Sequence, residues 1–189
     1  PEPGDWRSRV IYLANYQETG EFARTNDELA ARYTEPLGFS SVKIVNPDNT
    51  FLPNLTGKRF LDELNQGALL LNFNGHGSIG TMQYVFSIQF PDWDYLSQVR
   101  NGPRLPLVLA LSCLNGQFTD PTFSSLSEAL TQRAQGSGRG AGIGMGGGGI
   151  PRASGMLQWT LPYGAASAAC WIAMFAQRHF LEYGTTREQ

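Results

Sequence analysis

Two short apolar runs, ALLLNFN at 68–74 and LPLVLALSC at 105–113, limit most strongly what this chain can fold into. Neither run alternates polar with apolar residues, and both are shorter than a typical helix. Strands that are apolar on both faces are typical of parallel sheets covered by helices on each side. The two runs therefore predict neighbouring buried strands in an α/β fold.

The other patterns predict the same fold, because strand-like and helix-like segments alternate along the chain. Further strands are predicted at RVIYLAN and SSVKIVN. Helical spacing and end signals predict helices at NDELAARYTEPL with Asn26 or Thr25 as its cap, TGKRFLDELNQG ending at Gly67, DWDYLSQVRNG ending at Gly102, and FSSLSEALTQRA with Ser or Thr caps. We expect a three-layer α/β sandwich, in which a mostly parallel sheet is flanked by helices.

Composition indicates one globular domain. The chain has 189 residues, of which 41% are hydrophobic, and this length suffices for one hydrophobic core. The formal net charge is −2 and like charges do not cluster, so a nucleic-acid partner is not expected. The apolar runs fall short of the roughly 20 residues of a membrane-spanning helix. We interpret residues 1–189 as a single catalytic domain and expect it to be a fragment of a longer protein, because no methionine or signal peptide begins it.

Residues after Ala134 differ in composition. Nine of the fourteen residues from Gly136 to Gly149 are glycine. Glycine weakens helices and strands by roughly 0.5–1 kcal/mol per residue, so we expect residues 136–154 to be irregular, either a flexible loop or a degraded strand. The tail AASAACWIAMFAQRHFLEYG predicts a final amphipathic helix, with Cys170 as a core thiol and His179 on a helix face.

His76 and Cys113 follow the two buried strands at their carboxyl ends, where the catalytic groups of α/β sheets gather. Each has an ordinary interpretation when taken alone, His76 as a turn residue and Cys113 as a small core side chain. Neighbouring strands are about 4.8 Å apart, however, so the two side chains would meet at one edge of the sheet. A thiolate beside an imidazole is a nucleophile with its acid–base partner. Their joint placement therefore predicts a Cys–His dyad.

The glycines of GHGSIG allow two interpretations. Gly77 lets the backbone approach a bound carbonyl, so its amide and that of Cys113 would form an oxyanion hole. Alternatively, Gly75, Gly77 and Gly80 match the GxGxxG pattern of dinucleotide-binding loops. That pattern requires a helix at its third glycine, whereas TMQYVFSIQFPDWD is rich in β-branched and aromatic residues. The dinucleotide interpretation is therefore the weaker one.

These motifs resemble the gingipain-like family of cysteine peptidases, within the caspase, legumain and gingipain clan. In that clan one hydrophobic strand ends in His-Gly and a later one ends in the nucleophilic cysteine, as in ALLLNFNGHGS and LPLVLALSCLNGQF. Asn-Gly and an aromatic residue after the cysteine, then Pro121 and the SLSEAL helix, are also similar to the family pattern, as is the opening GDWRSRVIYLAN. The resemblance covers about residues 4–134.

The resemblance implies a caspase-like sandwich and a cysteine endopeptidase that needs no metal and no organic cofactor. His76 and Cys113 would be the catalytic pair, with the amides of Gly77 and Cys113 as the oxyanion hole. The substrate would be a peptide or protein, and the enzyme would be secreted or displayed on the surface of a bacterium.

One departure from the family concerns the acid that may orient the histidine. The family usually has acidic residues at the end of its first strand, whereas this chain has Asn15 there. Glu18 and Glu21, which come later in the same loop, are therefore the candidates.

Other residues near the dyad have mainly structural interpretations. Asn115 and Gly116 are expected to make the turn after the cysteine, Ser78 to bond the backbone of its loop, and Glu128 to be a solvated or capping helix residue. Our leading hypothesis is a cysteine endopeptidase that acts through a thioester acyl-enzyme. The alternative is an inactive homologue that serves as a binding or assembly module, and a dinucleotide-binding oxidoreductase is a distant third.

Overall fold

The computed structural model describes residues 4–15, 20–46, 55–83, 85–88, 95–117, 121–130 and 156–157, and it centres on a parallel β-sheet. In chain order the strands are β1 (Arg9–Ala14), β2 (Ser40–Val45), β3 (Leu70–Asn74), β4 (Gly77–Ser78), β5 (Thr81–Met82), β6 (Phe86–Ser87), β7 (Leu107–Leu111) and β8 (Met156–Leu157). The parallel sheet has the order β2-β1-β3-β7-β8, and β4, β5 and β6 form a small antiparallel sheet. The predicted strands at 9–15, 40–46, 68–74 and 105–113 are all confirmed.

One face of the parallel sheet carries the larger hydrophobic core. Helix α2 (Leu55–Gln66) covers this face with Phe60, Leu61 and Leu64. The strands contribute buried aliphatic and aromatic side chains to it, namely Ile11, Leu13, Ile44, Leu71, Phe73, Val108 and Ala110. The α2 helix confirms the prediction at TGKRFLDELNQG, and the chain leaves it at Gly67 in a left-handed conformation with φ of 87°.

The opposite face is covered by helix α1 (Glu21–Leu29), and polar groups are buried there. The Oδ1 atom of Asn26 accepts hydrogen bonds from the amides of Asn72 at 2.8 Å and Asn74 at 2.7 Å. The Nδ2 atom of Asn26 donates to the carbonyl of Leu13 at 3.0 Å. The sequence predicted that β3 is apolar on both faces, and this prediction is wrong. Asn72 and Asn74 of β3 face α1, where the side chain of Asn26 accepts their hydrogen bonds.

This network shows that the predicted start of the first helix is wrong. Neither Asn26 nor Thr25 caps the helix, which begins at Glu21 after Gly20 in a left-handed conformation with φ of 64°. Asparagine is a common helix cap, but here its side chain is directed to the sheet instead of to the helix terminus. The helical run continues as a π-turn over Ala30–Thr34 and a 3₁₀ turn over Glu35–Leu37, so its predicted end is confirmed.

The predicted helix at DWDYLSQVRNG is also wrong within its described part. Only a 3₁₀ turn, Leu96–Gln98, forms there, and Val99 is already extended. The amide of Arg100, which a continuing α-helix would bond to Leu96, donates instead to Oδ1 of Asn65 on α2 at 2.5 Å. A tertiary hydrogen bond therefore replaces the helical one.

The helix predicted at FSSLSEALTQRA is present over residues 126–130, and its later residues lie outside the described part of the chain. Ser125 caps it, as predicted, and forms a capping box with Glu128. The amide and hydroxyl of Ser125 each donate to Oε2 of Glu128 at 2.8 Å, while the amide of Glu128 donates back to the Ser125 hydroxyl at 3.4 Å. The glycine-rich segment at 136–154 and the tail with Cys170 and His179 are likewise outside the described residues.

The Asn26 network predicts a large loss of stability when the Asn26 side chain is removed. Replacing Asn26 with Ala leaves the buried amides of Asn72 and Asn74 without their acceptor, and we expect the free energy of unfolding to fall by about 3 kcal/mol. The measurement is chemical denaturation followed by circular dichroism. Arg24→Ala is the matched control, because Arg24 is exposed on the same helix and should change stability by less than about 0.5 kcal/mol. Equal stability of the two variants would contradict a structural role for the network.

Candidate active site

His76 lies where the chain leaves β3 and turns into the small antiparallel sheet. The amide of Gly75 still bonds to the sheet, because it donates to the carbonyl of Leu111 on β7 at 3.3 Å. His76 follows and is exposed. Its ring packs edge-on against Phe22 of α1, with ring centroids 5.4 Å apart and an interplanar angle of 83°. α1 thus limits where the imidazole can lie.

Cys113 lies at the same edge of the sheet as His76. Asn74 of β3 pairs with Leu111 of β7 in the parallel register, and His76 and Cys113 each come two residues after that pair. Cys113 is a half-buried thiol that is not in a disulfide. The backbone therefore brings the two strand ends to the same edge of the sheet, as predicted.

Gly77 brings the two loops into contact. A β-carbon placed on Gly77 would lie 2.9 Å from the carbonyl oxygen of Cys113, and 3.0 Å from each of the side-chain amide atoms of Asn115. Because real β-carbons almost never approach backbone oxygen so closely, only glycine allows this packing. The glycine is thus needed for the approach of the histidine loop to the cysteine loop.

Asn115 connects the same two loops through hydrogen bonds. Its side chain is fully buried, and its Nδ2 atom donates to the carbonyls of Ser78 at 2.6 Å and Thr81 at 2.7 Å. Its Oδ1 atom accepts a hydrogen bond from the hydroxyl of Ser112. The turn after the cysteine, which the sequence assigned to Asn115 and Gly116, therefore also binds the hairpin formed by β4 and β5.

The helix at 126–130 begins against both loops. The amide of Leu126 donates to the carbonyl of Ile79 at 2.7 Å, and the amide of Ser127 donates to the carbonyl of Asn115 at 3.0 Å. Amides in the first turn of a helix have no partner within the helix, so these loop carbonyls satisfy them. The hairpin, the cysteine loop and the helix start therefore form one connected unit.

Comparison with known proteins assigns the chain to a family. The model of peptidase family C25 matches residues 1–177 of the chain. The chain belongs to peptidase family C25. This is the gingipain-like family of cysteine peptidases that the strand-end motifs resembled, so the prediction of the family is confirmed.

Gingipains of Porphyromonas gingivalis are among the relatives of this C25 chain. Gingipain R2 and gingipain R1 are each 26% identical to it over 140 residues, which is 70% of this chain. The chain spans only 17% and 13% of the lengths of those two relatives. The crystal structure of the Arg-specific cysteine proteinase gingipain R superposes on 74% of this chain, and on 31% of its own, with a TM-score of 0.59 and 23% identity. The fold is thus the caspase-like α/β sandwich that the resemblance implied.

Neutral groups dominate the buried part of this C25 site. Every buried polar side chain in the described ranges, tyrosines aside, is an asparagine, serine or threonine, and Asn15, Asn74, Ser112 and Asn115 are those nearest the strand ends. Asn15 follows β1, and its side chain donates a hydrogen bond to the carbonyl of Gln83, the residue after β5 whose amide binds the carbonyl of His76. No charged side chain is buried beside the two strand ends in the part of the chain that the structure describes.

The two candidates for the orienting acid have different positions. Glu21 is the half-buried first residue of α1 and directly precedes Phe22, whose ring contacts His76. Glu21 makes no hydrogen bond to His76 in the described part of the chain. Glu18 lies outside the described residues. Phe22 is the site residue that the sequence did not indicate, since a single aromatic residue in a helix is usually read as a core residue.

The described residues contain no group of three or more His, Cys, Asp or Glu side chains that could hold a metal ion. None of their helices combines the length and the apolar character needed to cross a membrane.

The close contact between Gly77 and the cysteine loop predicts a loss of stability when a methyl group is added at Gly77. Gly77→Ala would place a methyl group against the carbonyl of Cys113, and we expect it to lower the free energy of unfolding by about 1–3 kcal/mol because the two loops must separate. The measurement is the denaturation midpoint. Gly4→Ala is the control, since Gly4 is exposed and a β-carbon there would meet only the Trp6 ring at 3.3 Å. Indistinguishable midpoints would show that the loops are not in contact.

Proposed function

We propose that this C25 chain is the catalytic domain of a cysteine endopeptidase, with Cys113 as the nucleophile and His76 as its acid–base partner. Membership of a cysteine peptidase family supports the class of reaction. One observation carries the assignment of residues: His76 and Cys113 each come two positions after the paired residues Asn74 and Leu111. A nucleophile and its base need this kind of proximity before any other requirement.

In the first half of the reaction the Cys113 thiolate attacks the carbonyl carbon of the scissile peptide bond. A carbon–sulfur bond forms, and the electron pair of the carbonyl moves to its oxygen. The backbone amides of Gly77 and Cys113 would stabilise this oxyanion, an effect worth several kcal/mol in other enzymes. His76 then donates its proton to the leaving amine as the carbon–nitrogen bond breaks, and a thioester remains on Cys113.

In the second half water replaces the amine. His76, now neutral, accepts a proton from water as the oxygen attacks the thioester carbonyl. The carbon–sulfur bond breaks, and the acid product leaves with the thiolate and the imidazolium restored. The reaction consumes one water and needs no redox partner or cofactor.

The neutral surroundings of the strand ends are compatible with this role. A buried amide carries no net charge, so it does not compete with the imidazolium for the charge of the thiolate. Phe22 would hold the imidazole from one side. We keep Glu21 and Glu18 as candidates for the acid that orients the imidazole, and Glu21 is favoured because it adjoins Phe22.

We also propose the biological setting that the resemblance to the gingipain-like family implies. The substrate would be a peptide or protein, and the enzyme would act outside the bacterial cell or on its surface.

Replacement of the proposed nucleophile tests the function directly. We expect Cys113→Ala to lower kcat/KM for a peptide substrate at least about 1,000-fold without changing the circular dichroism spectrum, because the covalent route is lost. Cys170→Ala, the control at the second cysteine, should retain activity. Peptide cleavage that persists in Cys113→Ala would contradict the proposal.

Alkylation of the two cysteines separates the enzyme from an inactive homologue. We expect iodoacetamide near pH 6.5 to label Cys113 about tenfold or more faster than Cys170, and His76→Ala to remove the difference, because the imidazolium favours the reactive thiolate. Mass spectrometry of tryptic peptides gives both rates in one sample. Equal, slow labelling together with no peptide cleavage would indicate the alternative, a binding or assembly module.

A further inference from the structure

Asn115 makes more hydrogen bonds than a turn residue requires. It is 0% exposed, and its side-chain hydrogen bonds to Ser78, Thr81 and Ser112 join segments that flank the two proposed catalytic residues. Ser78, whose carbonyl it binds, comes two residues after His76. Asn115 itself comes two residues after Cys113.

The chemistry at this position requires an amide side chain. The Nδ2 group has two hydrogens, and the two carbonyl acceptors, of Ser78 and Thr81, lie at 2.6 and 2.7 Å. The Oδ1 atom is an acceptor, and the Ser112 hydroxyl donates to it. An aspartate has nearly the same shape, but it would direct an oxygen at two carbonyl oxygens, so both hydrogen bonds would be lost and the oxygens would repel each other.

The backbone of Asn115 is held as firmly as its side chain. Its carbonyl accepts hydrogen bonds from the amide of Ser127 at 3.0 Å and from the hydroxyl of Ser127 at 2.9 Å. Gly77 fits against its side-chain amide, since a β-carbon there would lie 3.0 Å from both amide atoms. The helix start thus fixes Asn115, and Asn115 fixes the hairpin.

We infer that Asn115 is a positioning residue, which sets the spacing between His76 and Cys113 by binding the β4–β5 hairpin to the cysteine loop. The inference rests on the proposed function of these two residues and adds a third to it. Asn115 does not touch the reacting atoms. It acts through the hairpin, so its loss should separate the imidazole from the thiol and leave the binding of substrate largely intact.

The expected loss of rate follows from how strongly catalysis depends on the positions of the reacting groups. A misplacement of about 1 Å, caused by a change away from the reacting atoms, can cost an enzyme roughly 100-fold in rate. We therefore expect Asn115→Asp to lower kcat about 100-fold while KM changes less than about threefold. A loss of substrate affinity alone would be the signature of a binding residue.

The decisive readout is the pH profile of Cys113 alkylation in the full-length protein, compared among wild type, His76→Ala and Asn115→Asp. A role limited to stability would lower the melting temperature and leave this profile unchanged. We expect the Asn115→Asp profile to move from that of the wild type towards that of His76→Ala, because the imidazole no longer adjoins the thiol. Asn101→Asp is the matched control, since Asn101 is also 0% exposed and donates from Nδ2 to a carbonyl, that of Arg104, at 3.1 Å.

Ser112→Ala is a milder second variant in case Asn115→Asp does not fold. It removes the hydrogen bond to Oδ1 and leaves the two donor bonds of Asn115, so we expect a shift in the same direction but smaller. If Asn115→Asp and Ser112→Ala, where they fold, both have the wild-type profile and His76→Ala does not, the proposed role of Asn115 is overturned and the dyad is not. Identical profiles for wild type and His76→Ala would instead overturn the proposed dyad, so the two failures are distinguishable.

Discussion

The parallel pairing of β3 with β7 determines where the two proposed catalytic residues leave the sheet. Asn74 is opposite Leu111, and His76 and Cys113 each come two residues after this pair. A shift of register by one residue would move His76 along the sheet relative to Cys113 and reverse the face to which one of them belongs. The hydrophobic alternation that buries Leu71 and Phe73 against α2 therefore also aligns the two proposed catalytic residues.

Buried amides connect the elements that this register brings together. Asn26 binds α1 to β3 behind the strand ends, Asn15 binds the end of β1 to the residue that follows β5, and Asn115 binds the hairpin to the cysteine loop. An amide carries both donors and acceptors but no charge, so it can join backbone segments without altering the electrostatics of a nearby thiolate and imidazolium. The buried amides thus fix the geometry of the site, and His76 and Cys113 supply its proposed chemistry.

The sequence was sufficient for the fold class, four of the five strands of the main sheet and the family, because these depend on apolar periodicity and on two strand-end motifs. It failed at the start of α1 and at residues 95–102, where tertiary hydrogen bonds to Asn26 and Asn65 overrule local signals. It placed Asn115 in the turn after the cysteine, which is confirmed, but it indicated neither the contacts of Asn115 with the hairpin nor the role of Phe22. Both act through contacts with segments distant in sequence, and a local pattern carries no information about such partners.

We propose that His76 and Cys113 belong to one reactive centre, and a crystal structure of the full-length protein provides the sharpest test. The measurement is the distance from the nearer ring nitrogen of His76 to the sulfur of Cys113, taken before and after alkylation of the thiol. We expect a separation of several ångströms across an open cleft, with the alkyl group lying between the imidazole and the amide of Gly77. An imidazole and a thiol on opposite faces of the sheet would contradict it.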